Sequence, residues 1–148
     1  MAHVREQIRL AAAAALMGLD TSGDRVFPDG EHPRTPGAMP GLSAALGKER
    51  NIGGTLKATT KEVEILIDAF AEGPVWEPAH NAMLAEIEAA LYGTEDEDGR
   101  FFGGVATNLV YKGATVSRET GGAVEHGVLH ITWTAEYQTE DGNAETAK

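Results

Sequence analysis

Apolar residues at helical spacing open the chain. Val4, Ile8, Ala11, Ala12, Ala15 and Leu19 recur on one side of a would-be helix, and Arg5 and Arg9 fall together on a more polar side. Ala, Leu, Met, Gln, Glu and Arg are good helix formers, so the pattern predicts a helix over 3–19. Gly18 and the turn-forming run Asp20-Thr21-Ser22-Gly23-Asp24 stop it. A second helical stripe, Met83, Leu84, Ile87, Ala90 and Leu91, predicts a helix over 78–92, with Glu86 and Glu88 turned from its centre. Pro78 suits its first turn and Gly93 its end.

Period-2 patterns occupy much of the rest. Along 128–137, Leu129, Ile131, Trp133, Ala135 and Tyr137 point one way and His130, Thr132, Thr134 and Glu136 the other, as in a half-buried antiparallel strand. Residues 55–72 carry two periods. Val63, Leu66, Ile67 and Phe70 fit a helix, with Thr59 and Glu62 as its capping box. Val63, Ile65, Ile67 and Ala69 also alternate with Glu62, Glu64, Leu66 and Asp68, and the β-branched content decides for a strand. Shorter strands are expected at Arg25-Val26-Phe27, closed by Pro28, at 42–46, broken off by Gly53-Gly54, at 109–111, ended by Lys112-Gly113, and at 115–118 before Gly121-Gly122. Four of the six prolines lie between Pro28 and Pro40, which makes that stretch a loop or a sheet edge.

The order is helix, strands, helix, strands. It predicts an α+β fold with two helices packed on one face of a mainly antiparallel β-sheet. A chain of 148 residues suits one domain, placed at 1–138. Residues 139–148 offer nothing to bury and are expected to be a disordered acidic tail. The acidic run Thr94 to Gly99 is expected to be a mobile loop. There is no internal repeat.

Charge narrows the function. With 12 Lys+Arg against 23 Asp+Glu the net charge is -11, which disfavours tight binding to duplex DNA or to an anionic membrane. Leu10 to Leu19 after Arg5 and Arg9 faintly resembles a signal peptide. Glu6 interrupts its charged region, no clear cleavage site follows, and the segment is too short to span a bilayer, so the expectation is an Ala-rich helix packed on a sheet.

Chemistry is sparse at this level. The absence of cysteine removes disulfides, thiolate nucleophiles and zinc–thiolate sites. His126 and His130 are four apart but fall on a strand, split by Gly127, with no carboxylate at a ligand spacing, so no metal and no cofactor are expected. Ser22, Ser43 and Ser117 lack a nucleophile elbow, and neither Gly103-Gly104 nor Gly121-Gly122 begins a phosphate loop. No catalytic residue is assigned and no enzymatic activity is expected. Partner contacts are expected instead at Phe101 and Phe102, paired aromatics between Gly99-Arg100 and Gly103-Gly104, which either tuck into the core or fill a neighbour's pocket. Trp76, between Pro74 and Pro78, poses the same choice.

The order of segments carries a resemblance. A helix Val4-Arg5-Glu6-Gln7-Ile8 is followed by Arg25-Val26-Phe27-Pro28, by Pro40-Gly41-Leu42 and by the apolar strand Val63 to Ala69. The helix Met83 to Leu91 and a strand closing on Trp133-Thr134-Ala135-Glu136-Tyr137-Gln138-Thr139 complete it. Over about residues 3–139 the chain resembles the tail terminator, or tail completion, proteins of long-tailed phages and related tailed particles; it departs in the Pro/Gly region 28–54 and in the acidic tail. The resemblance implies a virion protein, assembled in the host cytoplasm, that forms a ring with copies of itself, a homohexamer. It implies contacts with the tail tube protein below and a head–tail connector or neck protein above, with DNA passing through unbound. It carries over no catalytic residue. Other expectations for such a chain are a neck, head-completion or minor tail protein or, from another class, a small ligand- or peptide-binding module.

Overall fold

The computed structural model describes residues 3–28, 40–55, 57–72, 76–119 and 126–147. Its elements run α1 (Val4–Ala15), β1 (Val26–Pro28), β2 (Gly41–Thr55), β3 (Ala58–Glu72), α2 (Trp76–Tyr92), β4 (Asn108–Glu119), β5 (His126–Glu140) and β6 (Asn143–Ala147). The strands form one sheet in the order β1-β2-β3-β5-β4, with β6 added beside β5. Among the described residues only the β1–β2 pair is parallel. Both helices contribute to one apolar cluster against one face of the sheet. The α+β expectation therefore describes the fold.

Strand β3 settles its two periods in favour of alternation. Val63, Ile65, Ile67 and Ala69 are wholly buried, and Leu66, which a helix would have turned inward, is exposed on the other face. The partner β5 buries Ile131, Trp133, Ala135 and Tyr137 at the same period, and the two strands pair continuously from Ala58↔Glu140 to Glu72↔His126. Above them α2 presents Met83, Ile87 and Leu91, and α1 presents Val4, Ile8, Ala12 and Leu16. The centre of the α1 face thus steps by four residues, and Ala11, Ala15 and Leu19 pack partly buried at its margins. The His3 side chain caps its start by accepting from the Arg5 N–H at 3.0 Å. The helix ends at Ala15, short of the expected 19, because the chain turns at Gly18, whose φ of +78° suits glycine.

Three boundaries are corrected. Gly53-Gly54 does not end the second strand: β2 runs through both glycines to Thr55. A side chain on Gly54 would place its Cβ 2.3 Å from the Ala58 carbonyl oxygen, so glycine here permits the close hairpin. Lys112-Gly113 does not divide β4 but forms a bulge between Tyr111 and Gly113 within one strand. The tail from 139 is not a disordered segment. β5 continues to Glu140, Asp141-Gly142 makes the turn, and β6 returns alongside, with the Asp141 N–H bonded to the Lys57 carbonyl at 2.8 Å. The acidic run after α2, expected to be mobile, is a hydrogen-bonded loop in which Asp96 Oδ1 accepts from the N–H groups of Asp98 and Arg100, each at 2.9 Å. Residues 29–39 and 121–122, read above as loop and turn, lie outside the described residues.

His80 on α2 is buried against β5, with Nε2 3.1 Å from the Gly127 carbonyl oxygen. Burial pushes its pKa down, and hydrogen bonds to the backbone of Gly127 and Ala69 only partly oppose this. The folded pKa lies below the unfolded one, so the unfolded chain takes up the proton first as the pH falls. The contribution to stability is complete above the ordinary value of about 6.5 and is lost as the pH falls through the folded pKa. The urea midpoint is expected to fall between pH 7 and pH 5.5, and a His80→Gln variant to show a smaller fall. Equal falls in both proteins rule out His80 as the source.

Candidate functional site

The face of the sheet away from the helices is polar across its middle, and Phe70 and Val128 are buried side by side towards one end. Across its middle, Lys48 and Arg50 from β2, Glu62 and Glu64 from β3, Thr132 from β5 and Lys112 from β4 border a shallow depression. The Arg50–Glu62 pair, 3.2 Å, is open to solvent on the arginine side and adds little stability.

Further along the same face, register brings three side chains into line. Asp68 of β3 lies directly opposite His130 of β5, and Thr115 of β4 lies opposite His130 on the other side, so Ser117 sits diagonally from the ring. Asp68 Oδ1 is 2.7 Å from His130 Nδ1, and His130 Nε2 is 2.9 Å from Ser117 Oγ. An ionised carboxylate only accepts, so Nδ1 carries the hydrogen. In the neutral ring Nε2 is then an acceptor and Ser117 the donor. Sequence reading dismissed Ser117 for want of a nucleophile elbow. The available signal was that Asp68, His130 and Ser117 all occupy polar positions of alternating strands.

Two apolar strips break the surface elsewhere. On the back of α1, away from the core, Leu10 (51 % exposed), Ala14 and Met17 (48 %) follow one another at helical spacing. On the helix side of β4, Tyr111 and Val116 are 36 % and 50 % exposed, and Tyr92 from the end of α2 meets the same Trp133 ring as Tyr111. The strips are well separated: α1 packs on β2, and β3 and β5 lie between β2 and β4. Among the described residues β4 has no strand on its outer side. Under the second strip the Trp133 ring meets Tyr92 at 5.1 Å and Tyr111 at 5.3 Å, both edge to face.

Tyr137 ties α1 to the sheet. Its buried hydroxyl donates to Glu49, which also lies 3.6 Å from Arg5. Burial, reinforced by the Glu49 carboxylate, pushes the phenol far above its usual range, so it stays a donor.

Two of the three expected partner residues have described side chains. Phe101 and Phe102 are buried in the apolar cluster: a bridge between Phe101 and Ala106 folds the loop back, and the Phe102 N–H reaches Thr94 Oγ1 at 3.3 Å. The paired rings took the first of their two alternatives. Trp76 begins α2, but its side chain lies outside the described residues. Among the described residues no three His, Cys, Asp or Glu side chains gather as a metal site, and no helix is long and apolar enough to cross a membrane.

No family model and no curated protein matches the chain. Among solved structures it is similar to a chain of "Virion of native gene transfer agent (GTA) particle", at 19 % identity and a TM-score of 0.47, covering 90 % of this chain and 92 % of that one.

Proposed function

We propose that this chain is a structural virion protein of the tail terminator type. In this reading copies of it close a ring, a homohexamer, that caps the head-proximal end of the tail tube, stops its polymerisation and joins it to the head connector. The resemblance in element order supports the reading. The observation that carries it is the pair of exposed apolar strips, Leu10-Ala14-Met17 and Tyr111-Val116 with Tyr92, at separate places on one subunit. Single exposed apolar residues are ordinary, but clusters of them mark contact surfaces. Two different patches on one chain suit a head-to-tail contact, and such contacts close into rings when the rotation between subunits allows. The net charge of -11 is in keeping with a ring that passes DNA without holding it.

The purified protein is expected to form rings in negative-stain images and a hexamer by native mass spectrometry. Particles assembled without it are expected to carry overlong tail tubes. Tails of normal length lying free of heads would instead assign the chain to the neck, and a monomer that binds a small molecule overturns the assembly reading.

A further inference from the structure

We propose that Ser117 is a base-activated nucleophile and that Asp68, His130 and Ser117 together react with acyl esters of good leaving groups, such as aryl esters. The two hydrogen bonds, 2.7 Å and 2.9 Å, run in the order carboxylate, imidazole, hydroxyl. That order is what general-base activation of a serine requires: the carboxylate fixes the tautomer and stabilises the imidazolium, and Nε2 receives the hydroxyl proton. The three side chains come from three adjacent strands of one continuous ladder, so their spacing is held by backbone pairing and not by loop conformation. An open depression lined by Lys112, Thr115, His130 and Thr132 adjoins the imidazole.

The chemistry balances without a cofactor. Ser117 Oγ bonds to the acyl carbon as its proton passes to His130 Nε2. The adduct collapses, the bond to the aryl oxygen breaks, and the phenol leaves with the proton from His130. Water, deprotonated by His130, then attacks the acyl-serine, releasing the carboxylic acid and restoring the hydroxyl. The site is restricted to leaving groups that need little stabilisation of the developing oxyanion; peptide amides, which need fixed donors there, are excluded.

The test uses the full chain and 4-nitrophenyl acetate, with phenolate release followed by absorbance and the acetyl group located by peptide mass spectrometry. Acetylation is expected at Ser117. His130→Gln is expected to slow it by about 10²-fold or more, the lower end of what a positioned base contributes. Ser117→Ala is expected to lose the label and leave only the slow background of the surface amines and imidazoles. Asp68→Asn, which disturbs the tautomer but not the nucleophile, is expected to fall between. Matching circular dichroism spectra establish that the variants fold. Labelling confined to lysines or the N-terminus, release unchanged in Ser117→Ala, or Ser117 acetylation indifferent to His130→Gln overturns the proposal. So does failure of a serine-directed fluorophosphonate to label the wild-type chain at Ser117. None of these outcomes bears on ring formation, so this proposal and the assembly reading fail separately.

Discussion

Replacing Trp133 with alanine is expected to destabilise the protein by about 3–5 kcal/mol, the usual cost of removing a large aromatic side chain from a core. Trp133 is among the largest fully buried side chains and lies on β5, the strand that pairs with both β3 and β4. Its loss leaves a cavity that Ile131 and Ala135, fixed by the ladder, cannot fill. It also strips Tyr92 and Tyr111 of the ring they pack against, so two half-exposed tyrosines lose their anchor. Against a total stability of about 5–15 kcal/mol this is a large fraction. Because each kcal/mol moves the midpoint of a chain this size by about 2–4 °C, the melting temperature is expected to fall by roughly 6–20 °C. Trp133→Phe should recover part of the loss. Val116→Ala, on the same side of the sheet but half exposed, is expected to change stability by less than about 0.5 kcal/mol in the monomer. Urea unfolding followed by circular dichroism measures all three. A Trp133→Ala midpoint within error of wild type contradicts the placement of this ring in the core.

What the sequence made legible was local period. β5 was read from the alternation Leu129, Ile131, Trp133, Ala135, Tyr137, and β3 from Val63, Ile65, Ile67, Ala69, because a sheet with one buried face imposes period 2 on each strand separately. The α2 stripe was legible for the same reason. Ends were harder, since Gly53-Gly54 and Lys112-Gly113 serve equally as breaks or as bulges, and only the partner strand decides. The Asp141-Gly142 pair is a hairpin signal, but the residues after it are polar and set no apolar period. They need not all be apolar, because β6 pairs with β5 at Asn143 and Ala147 and Ala147 packs against the apolar cluster. The Asp68–His130–Ser117 chain was legible only as separate polar positions on strands, not as a constellation. Asp68 and His130 are 62 residues apart, and which residue faces which depends on a register that a slip of one position would abolish. Nor did pattern alone choose between the two fates of Phe101 and Phe102, since a glycine-flanked pair is suited both to folding inward and to reaching out.

Charging either apolar strip is expected to abolish the ring while leaving the fold intact, and combining the two lesions tells which kind of contact the ring uses. Leu10→Glu with Met17→Glu alters the back of α1, and Tyr111→Glu with Val116→Glu alters the margin of β4. All four side chains are a third to a half exposed, so the cost to the monomer is modest. In an assembled contact the same carboxylates would be desolvated without partners, at a cost of several kcal/mol per subunit, enough to lower affinity by a thousandfold or more. Each variant alone should therefore run as a monomer. If the contact joins the α1 strip of one copy to the β4 strip of the next, each variant still keeps one good half. Mixing them should yield a one-to-one dimer that grows no further, because its two outer surfaces are both defective. A contact made by like surfaces behaves otherwise: one of the variants would assemble normally, and the mixture would show no new species. Sedimentation velocity on the separate and mixed proteins distinguishes these outcomes. Rings persisting in both variants would remove the two strips from the assembly altogether.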